Sequence, residues 1–416
     1  MDKIKVIGRQ TLSGKIYISG SKNSVVSLIP AAILSDKTVI EKIPRISDVD
    51  NLEEILDFLN VDFKYSDNNL HINSINMVNK DIPLEYSSKL RASYYFMGAL
   101  LGRYGKVKIS LPGGCEIGQR AFDFHLKGFE KMGARVTCKD DYILIEASKL
   151  HGANIDLPFA SVGATVNILL ASVLASGKTV INNAASEPEI GNLIDFLNDM
   201  GANIEGKDSN RLVIFGVSKL LGGSIKVIPD RIEAGTYILA GLMNGDNLEI
   251  CDVEPKHLES FFHVLKKMGA RYIIKKDSVV TYRSDSLKPV NIKTEVYPGF
   301  ATDLQQPITT LLLMCDGIST VQETIYENRF QNTIYLNSMG ADIIRKGDTI
   351  YITGPTKLEG RLVRTSDLRA GAALILAALS AEGETTITDI KHLLRGYSDL
   401  IKKLSDVGAK IWLEDE

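Results

Sequence analysis

The sequence has little of several features that mark particular classes of protein. Its 416 residues include only four cysteines, and no two of them form a Cys-x-x-Cys pair. This spacing argues against a structural zinc site and favours a reducing compartment. The longest helix-like apolar run, 371–379, is far shorter than the ~20 residues that span a bilayer, and the N-terminus has no apolar signal core. We therefore predict a cytoplasmic protein with no membrane insertion.

An excess of charge of one sign is also missing. The 48 Lys and Arg residues nearly balance the 51 Asp and Glu residues, which gives a formal net charge of −3. Without a basic excess we expect no nucleic-acid partner. The sequence contains neither a G-x-x-x-x-G-K-[ST] loop nor a G-x-G-x-x-G turn, and its His and acidic residues show no metal-binding spacing. We therefore predict no resident cofactor and no metal.

What the sequence does contain is a six-fold internal repeat. A Met-Gly-Ala or Val-Gly-Ala motif, followed by a short apolar stretch, returns with a period of about 70 residues. Asn stands where the first copy should have its glycine. The repeated positions are Asn60, Gly133, Gly201, Gly269, Gly340 and Gly408. Six units of this length account for the whole chain.

Each unit has the pattern of a mixed helix and strand module. An amphipathic helix such as 193–200 ends at a glycine suited to the left-handed position after a helix. Two short strands follow, as in 270–275 and 278–283. A second helix, such as 163–175, is apolar on most faces and should lie in the core. The sequence therefore predicts an α/β (α+β) fold of two domains with three repeats each, and a boundary near residues 228–230.

Polar residues recur where the helices of each unit begin. Helix N-termini offer unpaired N–H groups and a positive dipole end, which favour phosphates and carboxylates. Two such domains facing each other would form an anion-binding cleft; the alternative is helix capping with solvated charge. The core-helix residues are Lys22, Asn23, Arg91, Ser161, Val162, Gly163, Arg231, Glu233, Asp303, Asp367 and Arg369, and those near the amphipathic helices are Arg120, Glu189, His257, Arg329 and Arg395.

Residues 111–120 hold a thiol, Cys115, among three glycines and a proline. Gly and Pro both disfavour the interior of helices and strands, so we expect an exposed loop. The second repeat is longer than the others at this point, which indicates an insertion. An exposed thiol close to Arg120 is a candidate for chemistry. The alternative is an incidental cysteine in a surface loop.

These motifs together resemble the UDP-N-acetylglucosamine 1-carboxyvinyltransferases, which are enolpyruvyl transferases of the EPSP synthase family. The segments that carry the resemblance are 19–23, 90–93, 111–118, 161–165, 229–236, 298–305, 327–330, 367–370 and 395–397. The resemblance implies two inside-out α/β domains, 21–229 and 1–20 plus 230–416, with the active-site cleft between them. It also implies transfer of the enolpyruvyl group from phosphoenolpyruvate to the 3′-hydroxyl of the UDP-sugar, with release of phosphate.

The resemblance further assigns roles to individual residues. Cys115 would protonate the methylene carbon, and Asp303 would take the hydroxyl proton. Lys22, Arg120 and Arg395 would bind phosphoenolpyruvate, while Asp367 and Arg369 would support the catalytic centre. Fosfomycin-type epoxides would alkylate Cys115. The substrate contacts implied are Lys22, Asn23, Arg91, Arg120, Ala121, Phe122, Asp123, Phe124, Ser161, Val162, Gly163, Asp303, Ile325, Glu327, Arg329 and Arg395.

Two other functions remain possible from the residues alone. The first is enolpyruvylshikimate phosphate synthesis, which shares the fold but is disfavoured by the Cys115 loop and the 161–165 segment. The second is a non-catalytic sensor of UDP-sugars, which the set of Lys22, Cys115, Asp303 and Arg395 disfavours. Assays with each acceptor separate these functions.

Overall fold

The fold is taken from a computed structural model in which residues 3–110 and 122–414 are described. The chain divides into two compact units. The first unit is Gly20–Ile228, and the second unit joins Met1–Ser19 to Pro229–Glu416. The strands β1 (Lys3–Ile7) and β2 (Leu12–Tyr17) therefore belong to the second unit.

The first unit alternates helices and short strands along the chain. Its helices are α1 (Lys22–Ala32), α2 (Ser47–Phe58), α3 (Leu84–Ser87), α4 (Tyr95–Tyr104), α5 (Asp123–Lys131), α6 (Val162–Ser172) and α7 (Pro188–Asp199). Its strands are β3 (Lys37–Glu41), β4 (Asp62–Ser66), β5 (Asn69–Asn73), β6 (Lys106–Ser110), β7 (Arg135–Cys138), β8 (Tyr142–Glu146), β9 (Asn154–Asp156), β10 (Lys178–Asn182), β11 (Asn203–Glu205), β12 (Arg211–Phe215) and β13 (Gly223–Lys226).

The second unit follows the same alternation. Its helices are α8 (Arg231–Asn244), α9 (Glu259–Met268), α10 (Gln305–Leu312), α11 (Asn332–Ser338), α12 (Leu368–Ser380), α13 (Lys391–Leu394) and α14 (Leu400–Asp406). Its further strands are β14 (Gly245–Cys251), β15 (Tyr272–Ile274), β16 (Ser278–Thr281), β17 (Asn291–Lys293), β18 (Gly317–Gln322), β19 (Asp342–Lys346), β20 (Thr349–Gly354), β21 (Leu362–Arg364), β22 (Glu384–Thr388) and β23 (Lys410–Glu414). Short 3₁₀ turns are formed by Arg91–Tyr94, Pro255–Leu258 and Thr302–Leu304.

The described residues form six small sheets, one for each repeat. In the first unit the strand orders are β13-β3-β5-β4, β6-β8-β7 and β11-β12-β10-β9. In the second unit they are β15-β16-β14-β2, β17-β18-β20-β19 and β21-β22-β1-β23. Each four-stranded sheet combines one parallel pair with two antiparallel pairs, as where β9 lies parallel to β10 and Ile155 faces Ile181. The middle sheet of the first unit has three strands, with one isolated parallel bridge between Ile82 and Ile109.

The most apolar helix of each repeat lies in the core. In α6 every residue from Ala164 to Ser172 is buried, and in α12 the same holds from Arg369 to Leu379. Helix α9 is amphipathic, because it buries Phe261, Phe262, Leu265 and Met268. The predicted inside-out arrangement of core helices and outer sheets is confirmed, although α6 ends at Ser172 and not at the expected residue 175.

The repeated glycine does adopt the left-handed conformation that was predicted after each amphipathic helix. The φ angles are 60° for Asn60, 91° for Gly133, 98° for Gly201, 77° for Gly269, 103° for Gly340 and 103° for Gly408. A side chain with a Cβ atom rarely adopts such angles, so glycine is the favoured residue and Asn the usual substitute. The repeat in the sequence is therefore a repeat of helix endings.

Helices α4 and α6 pack closely because α4 carries glycine at the contact. A Cβ atom at Gly98 would lie 2.3 Å from the carbonyl oxygen of Asn167, and one at Gly102 would lie 2.8 Å from that of Leu170. The Gly98 N–H donates a hydrogen bond to Oδ1 of Asn167 at 2.8 Å. This contact fixes the amide of Asn167, which matters for the neighbouring site.

Within residues 3–110 and 122–414, every helix is too short or too polar to cross a membrane.

Candidate functional site

The core helices begin in one of three ways: with a serine cap, with an aspartate cap, or directly after a 3₁₀ turn. Ser21 and Ser161 cap α1 and α6 by accepting hydrogen bonds from the N–H groups of Ser24 and Ala164, each at 3.3 Å. In the second unit, Asp230 and Asp367 play this part for α8 and α12. Helices α4 and α10 begin instead after the 3₁₀ turns Arg91–Tyr94 and Thr302–Leu304. All the core-helix residues predicted from the sequence therefore lie at helix starts.

In the first unit, Lys22 is the first residue of α1 and pairs with the first turn of α2. Its Nζ lies 2.8 Å from Oδ2 of Asp48, and the Asp48 side chain is only 1% exposed. Asn23 follows Lys22 and is half-buried. The pair joins the start of the core helix to the start of the amphipathic helix, so the Lys22 ammonium group is held at a defined position. Asp48 was not among the predicted site residues, although its place in a helical first turn is a sequence signal for a capping or pairing acid.

A second group of side chains surrounds the start of α6. The Arg91 guanidinium lies 5.9 Å from the centre of the Phe122 ring, and the Tyr94 ring meets the His125 ring edge-on at 5.2 Å. Gly163 is required here because a Cβ atom would lie 2.7 Å from the Tyr94 hydroxyl. Ser161, Gly163 and Arg91 are half-buried. These predicted residues are therefore brought together around one helix N-terminus.

The tautomer of His125 follows from its hydrogen bonds. The Oδ1 atom of Asn167 accepts from Gly98, so the Asn167 amide group faces His125 with its Nδ2, 3.0 Å from the His125 Nδ1. Nδ1 must then accept, which leaves the proton on Nε2. Burial, followed by the charge of Arg91, lowers the pKa of His125 to about 3. The imidazole is consequently neutral at physiological pH, and its hydrogen bond to Asn167 fixes the ring.

The outer edge of this group presents aromatic surface. The Phe124 and Phe159 rings meet edge-on at 5.0 Å, and Phe159 is 55% exposed. Val162 is also exposed, as is Asp123, the first residue of α5. Exposed aromatic side chains beside a helix N-terminus and an arginine suit a ligand that has both a planar ring and phosphate groups.

In the second unit, Asp303 is clamped between two buried arginines. Its Oδ1 lies 2.6 Å from Nη2 of Arg329, and its Oδ2 lies 2.8 Å from Nη2 of Arg369. The arginine side chains are only 4% and 5% exposed, whereas Asp303 is 24% exposed. Burial alone would raise the pKa of Asp303, but the Arg369 and Arg329 guanidinium groups outweigh it and hold the pKa well below its usual range. The carboxylate is therefore ionised, oriented and accessible.

Arg329 is itself held by a hydrogen-bonded chain. Its Nη1 donates to the Thr302 hydroxyl at 2.7 Å, and that hydroxyl donates to Oε2 of Glu323 at 2.8 Å. Glu323 also accepts from the N–H of Ile325 at 2.8 Å. Ile325 is a predicted substrate contact and is half-buried. The sequence did not single out Glu323, because its hydroxyl partners, Thr294 and Thr302, lie on segments that only the fold brings to it.

Asp367 is engaged in capping α12. Its Oδ1 accepts from the N–H groups of Arg369 and Ala370 at 2.9 and 3.0 Å, and Gln306 Nε2 lies 3.3 Å from Oδ2. The cap fixes the first turn of α12, which directs Arg369 toward Asp303. Arg395 follows α13 and is half-buried, while Glu327 is exposed.

Three of the predicted site residues lie outside the described residues: Cys115, Arg120 and Ala121. Among the residues that are described, no group of three or more His, Cys, Asp or Glu side chains is arranged to hold a metal ion. The described sites contain cations, carboxylates and helix N-termini.

Comparison with known proteins agrees with this geometry. Residues 6–404 match the family described as EPSP synthase (3-phosphoshikimate 1-carboxyvinyltransferase). The chain is 48% identical over 415 residues to UDP-N-acetylglucosamine 1-carboxyvinyltransferase 2 of Geobacillus kaustophilus, covering 100% of this chain and 97% of the relative. It is also 48% identical over 419 residues to UDP-N-acetylglucosamine 1-carboxyvinyltransferase of Streptococcus pneumoniae, covering 100% of both chains.

Solved structures show the same relationship. The crystal structure of the enolpyruvyl transferase NikO from Streptomyces tendae superimposes with a TM-score of 0.91 at 26% identity, covering 99% of each chain. EPSP synthase from Acinetobacter baumannii shares the fold, with a TM-score of 0.76 at 18% identity over 100% of each chain. The resemblance found in the motifs is confirmed, and the chain belongs to the EPSP synthase family of carboxyvinyl, or enolpyruvyl, transferases.

Proposed function

We propose that this enzyme transfers the enolpyruvyl group of phosphoenolpyruvate to the 3′-hydroxyl of UDP-N-acetylglucosamine and releases phosphate. The full-length match to relatives named for this reaction supports the choice of acceptor. The observation that carries the chemistry is the clamped carboxylate of Asp303, because an alcohol that attacks a carbon centre must lose its proton to a positioned acceptor. The reaction is the first committed step of peptidoglycan synthesis, carried out in the cytoplasm.

The first unit supplies the groups that suit the UDP moiety. The diphosphate would lie against Arg91 and the N-terminus of α6, where backbone N–H groups and the helix dipole favour negative charge. The uracil ring would contact the aromatic surface of Phe124 and Phe159, whose rings meet at 5.0 Å. The neutral Nε2–H of His125 adds a hydrogen-bond donor beside Gly163.

The second unit supplies the proton acceptor. The 3′-hydroxyl oxygen adds to C2 of phosphoenolpyruvate and its proton passes to Asp303, while an acid delivers a proton to C3. The resulting tetrahedral intermediate then loses that C3-bound proton and phosphate. Because its arginine partners keep the pKa of Asp303 low, the carboxylate is a weak base. Proton transfer should therefore accompany formation of the C–O bond and not precede it.

The remaining roles rest on the sequence. Lys22 and Arg395, together with Arg120, would bind the phosphate and carboxylate of phosphoenolpyruvate, since converging cations are the usual means of holding such a dianion. Cys115 would be the acid at C3. In this proposal the first unit supplies most of the groups that bind the UDP-sugar, and the second unit supplies the group that accepts the proton of its hydroxyl.

A phosphate-release assay tests the proposal. We expect release only when phosphoenolpyruvate and UDP-N-acetylglucosamine are both present, and none when shikimate 3-phosphate replaces the UDP-sugar. Turnover with shikimate 3-phosphate alone would identify the chain as an EPSP synthase. Tight binding of the UDP-sugar without phosphate release would identify it as a sensor.

The role of Cys115 has a separate test with a fosfomycin-type epoxide. We expect the thiolate to open the epoxide and give one covalent adduct per chain, which intact mass analysis detects. The described cysteines provide internal controls, because Cys138 is exposed whereas burial raises the pKa of Cys315 to about 11. Replacing Cys115 by Asp should abolish the adduct while retaining an acid. An adduct that persists on Cys138 in this variant would overturn the assignment.

A further inference from the structure

Glu323 is a buried carboxylate, and within residues 3–110 and 122–414 its hydrogen-bond donors are all neutral. It is 5% exposed and directly follows β18. Its Oε1 accepts three hydrogen bonds, from the Thr294 hydroxyl at 2.8 Å and from the N–H groups of Ile325 and Tyr326 at 2.8 and 3.1 Å. Its Oε2 accepts one, from the Thr302 hydroxyl at 2.8 Å. Burying an ionised carboxylate is costly, and the four hydrogen bonds offset that cost. We therefore infer that the fold places this carboxylate specifically.

The two oxygens of Glu323 face different parts of the molecule. Oε1 connects the 323–326 loop to the end of β17, because it accepts the hydrogen bond from Thr294. Oε2 faces Thr302, which immediately precedes Asp303. The Thr302 hydroxyl has one proton, and by donating it to Glu323 it must accept from Arg329 Nη1, which lies 2.7 Å away. Arg329 Nη2 then donates to Asp303 at 2.6 Å.

These contacts form a relay with a fixed direction, from Arg329 through Thr302 to Glu323. We propose that Glu323 is a positioning residue for enolpyruvyl transfer, which orients the Thr302 hydroxyl so that Arg329 is held against Asp303. The proposal rests on the assignment of Asp303 as the proton acceptor. The competing interpretation is that Glu323 only anchors the 323–326 loop through Oε1.

The substitution Glu323→Gln separates the two interpretations. The two backbone N–H donors fix the orientation of the glutamine, because only its carbonyl oxygen can accept from Ile325 and Tyr326. The Oε1 contacts and the side-chain volume are therefore kept. The glutamine NH₂ now faces the Thr302 hydroxyl and cannot accept its proton, so the Thr302 O–H must turn to another acceptor and the relay loses its fixed direction. Thr302→Val breaks the same relay without touching Glu323, and Thr302→Ser is the matched control that keeps the hydroxyl.

In steady-state kinetics we expect E323Q and T302V each to lower kcat by about tenfold to hundredfold, since small displacements of reacting groups have effects of this size. KM for UDP-N-acetylglucosamine should change little, and T302S, which keeps the hydroxyl, should restore most of the kcat that T302V loses. The double variant should lose no more kcat than either single variant, because both substitutions break the same relay. Thermal melts of each variant exclude loss of folding as the cause.

The titration of the Asp303 carboxyl gives a readout that does not depend on turnover. In protein carrying carbon-13-labelled aspartate, with D303N used for assignment, the Asp303 signal should titrate at higher pH in E323Q and T302V than in the parent. The sign is diagnostic, because removing the negative charge of Glu323 would by itself make Asp303 more acidic, whereas loosening Arg329 makes it less acidic.

These experiments distinguish a failure of the proposed function from a failure of the proposed role of Glu323. If the parent releases no phosphate from its two substrates, the proposed function fails, and the titration alone decides whether the relay exists. Unchanged kcat in E323Q or T302V in an active enzyme overturns the role of Glu323. An unshifted Asp303 titration, or losses of kcat that add in the double variant, shows that Glu323 is only a loop anchor.

Discussion

The two units use the same scaffold of repeats for opposite electrostatic purposes. In the first unit a cation at a core-helix start, Lys22, pairs with an acid at the start of the outer helix, Asp48. In the second unit the signs are reversed, because the acid Asp303 lies at the core-helix start and the cation Arg329 precedes the outer helix. The same two positions therefore produce an accessible ammonium group in one unit and an accessible carboxylate in the other.

The N-cap residues of the core helices also differ in charge between the two units. Serine caps in the first unit add no charge to the helix start, so the positive end of the dipole and the nearby cations favour an anionic ligand. Aspartate caps in the second unit neutralise the dipole and hold arginine in place, as Asp367 does for Arg369. We conclude that the first unit is suited to binding phosphate groups and the second to holding one carboxylate in a reactive orientation.

The largest expected effect comes from Asp303→Asn. The substitution keeps the shape but removes the proton acceptor, so kcat should fall by about 10²–10⁴-fold in the phosphate-release assay. The matched control is Asp406→Asn, which removes an exposed carboxylate that pairs with Lys402 at 3.1 Å. Retention of more than half of the activity in D303N would contradict the assignment of Asp303.

The second largest effect is expected on the binding of UDP-N-acetylglucosamine by the first unit. Arg91→Met should raise KM for UDP-N-acetylglucosamine by about tenfold to hundredfold, because a hydrogen bond to a charged group contributes about 1.5–3 kcal/mol. Titration calorimetry with the UDP-sugar provides the direct check. Arg135→Met, on an exposed strand position, is the control. If both variants bind equally well, the phosphate site is not at the start of α6.

A third effect concerns the stability of the first unit at acid pH. The folded protein keeps His125 neutral down to a pKa of about 3, whereas the unfolded chain takes up the proton near 6.5. Stability must therefore fall as the pH drops below 6.5, by about 2 kcal/mol at pH 5. In urea titrations His125→Asn should remove this loss, and the exposed His263→Asn should retain it. A pH slope that is the same in both variants would exclude a buried neutral His125.

The smallest effects concern the caps. Ser161→Ala removes one hydrogen bond at 3.3 Å and should lower the unfolding free energy by about 1 kcal/mol or less. Asp367→Ala removes two capping bonds, the contacts from Gln306 and Ser366, and a charge at the helix dipole, so we expect a loss of about 2 kcal/mol. Asp367→Asn keeps the acceptor and should lie between the parent and the alanine variant. Equal losses in the two alanine variants would remove the distinction between the caps.

Much of the fold was accessible from the sequence because its signals are local. A left-handed residue after each outer helix requires Gly or Asn, so the repeat could be found by its helix endings alone. Arg91, Ser161 and Asp303 were placed at helix starts because polar residues recur at the beginning of the core helix in each repeat. The repeat does not identify side-chain partners, because the two arginines that clamp Asp303 lie 26 and 66 positions away from it in the sequence.

The partners that the sequence did not reveal share one property. Asp48, Asn167 and Glu323 act through contacts between elements that only the folded chain brings together. Asn167 has the sequence context of an ordinary core-helix residue, yet it determines the tautomer of His125. The partners of these residues are determined by packing geometry; the first-turn position of Asp48 signals a pairing acid, but no local pattern identifies Lys22 as its partner.

The central claim is that the first unit binds the UDP-sugar and the second unit handles its proton. The most direct test measures kcat and the UDP-N-acetylglucosamine dissociation constant for R91M and D303N under the same conditions. We expect D303N to lose kcat while its affinity stays within about tenfold of the parent, and R91M to lose affinity while its kcat stays within about tenfold. Proportional loss of both quantities in both variants would contradict the division of labour between the units.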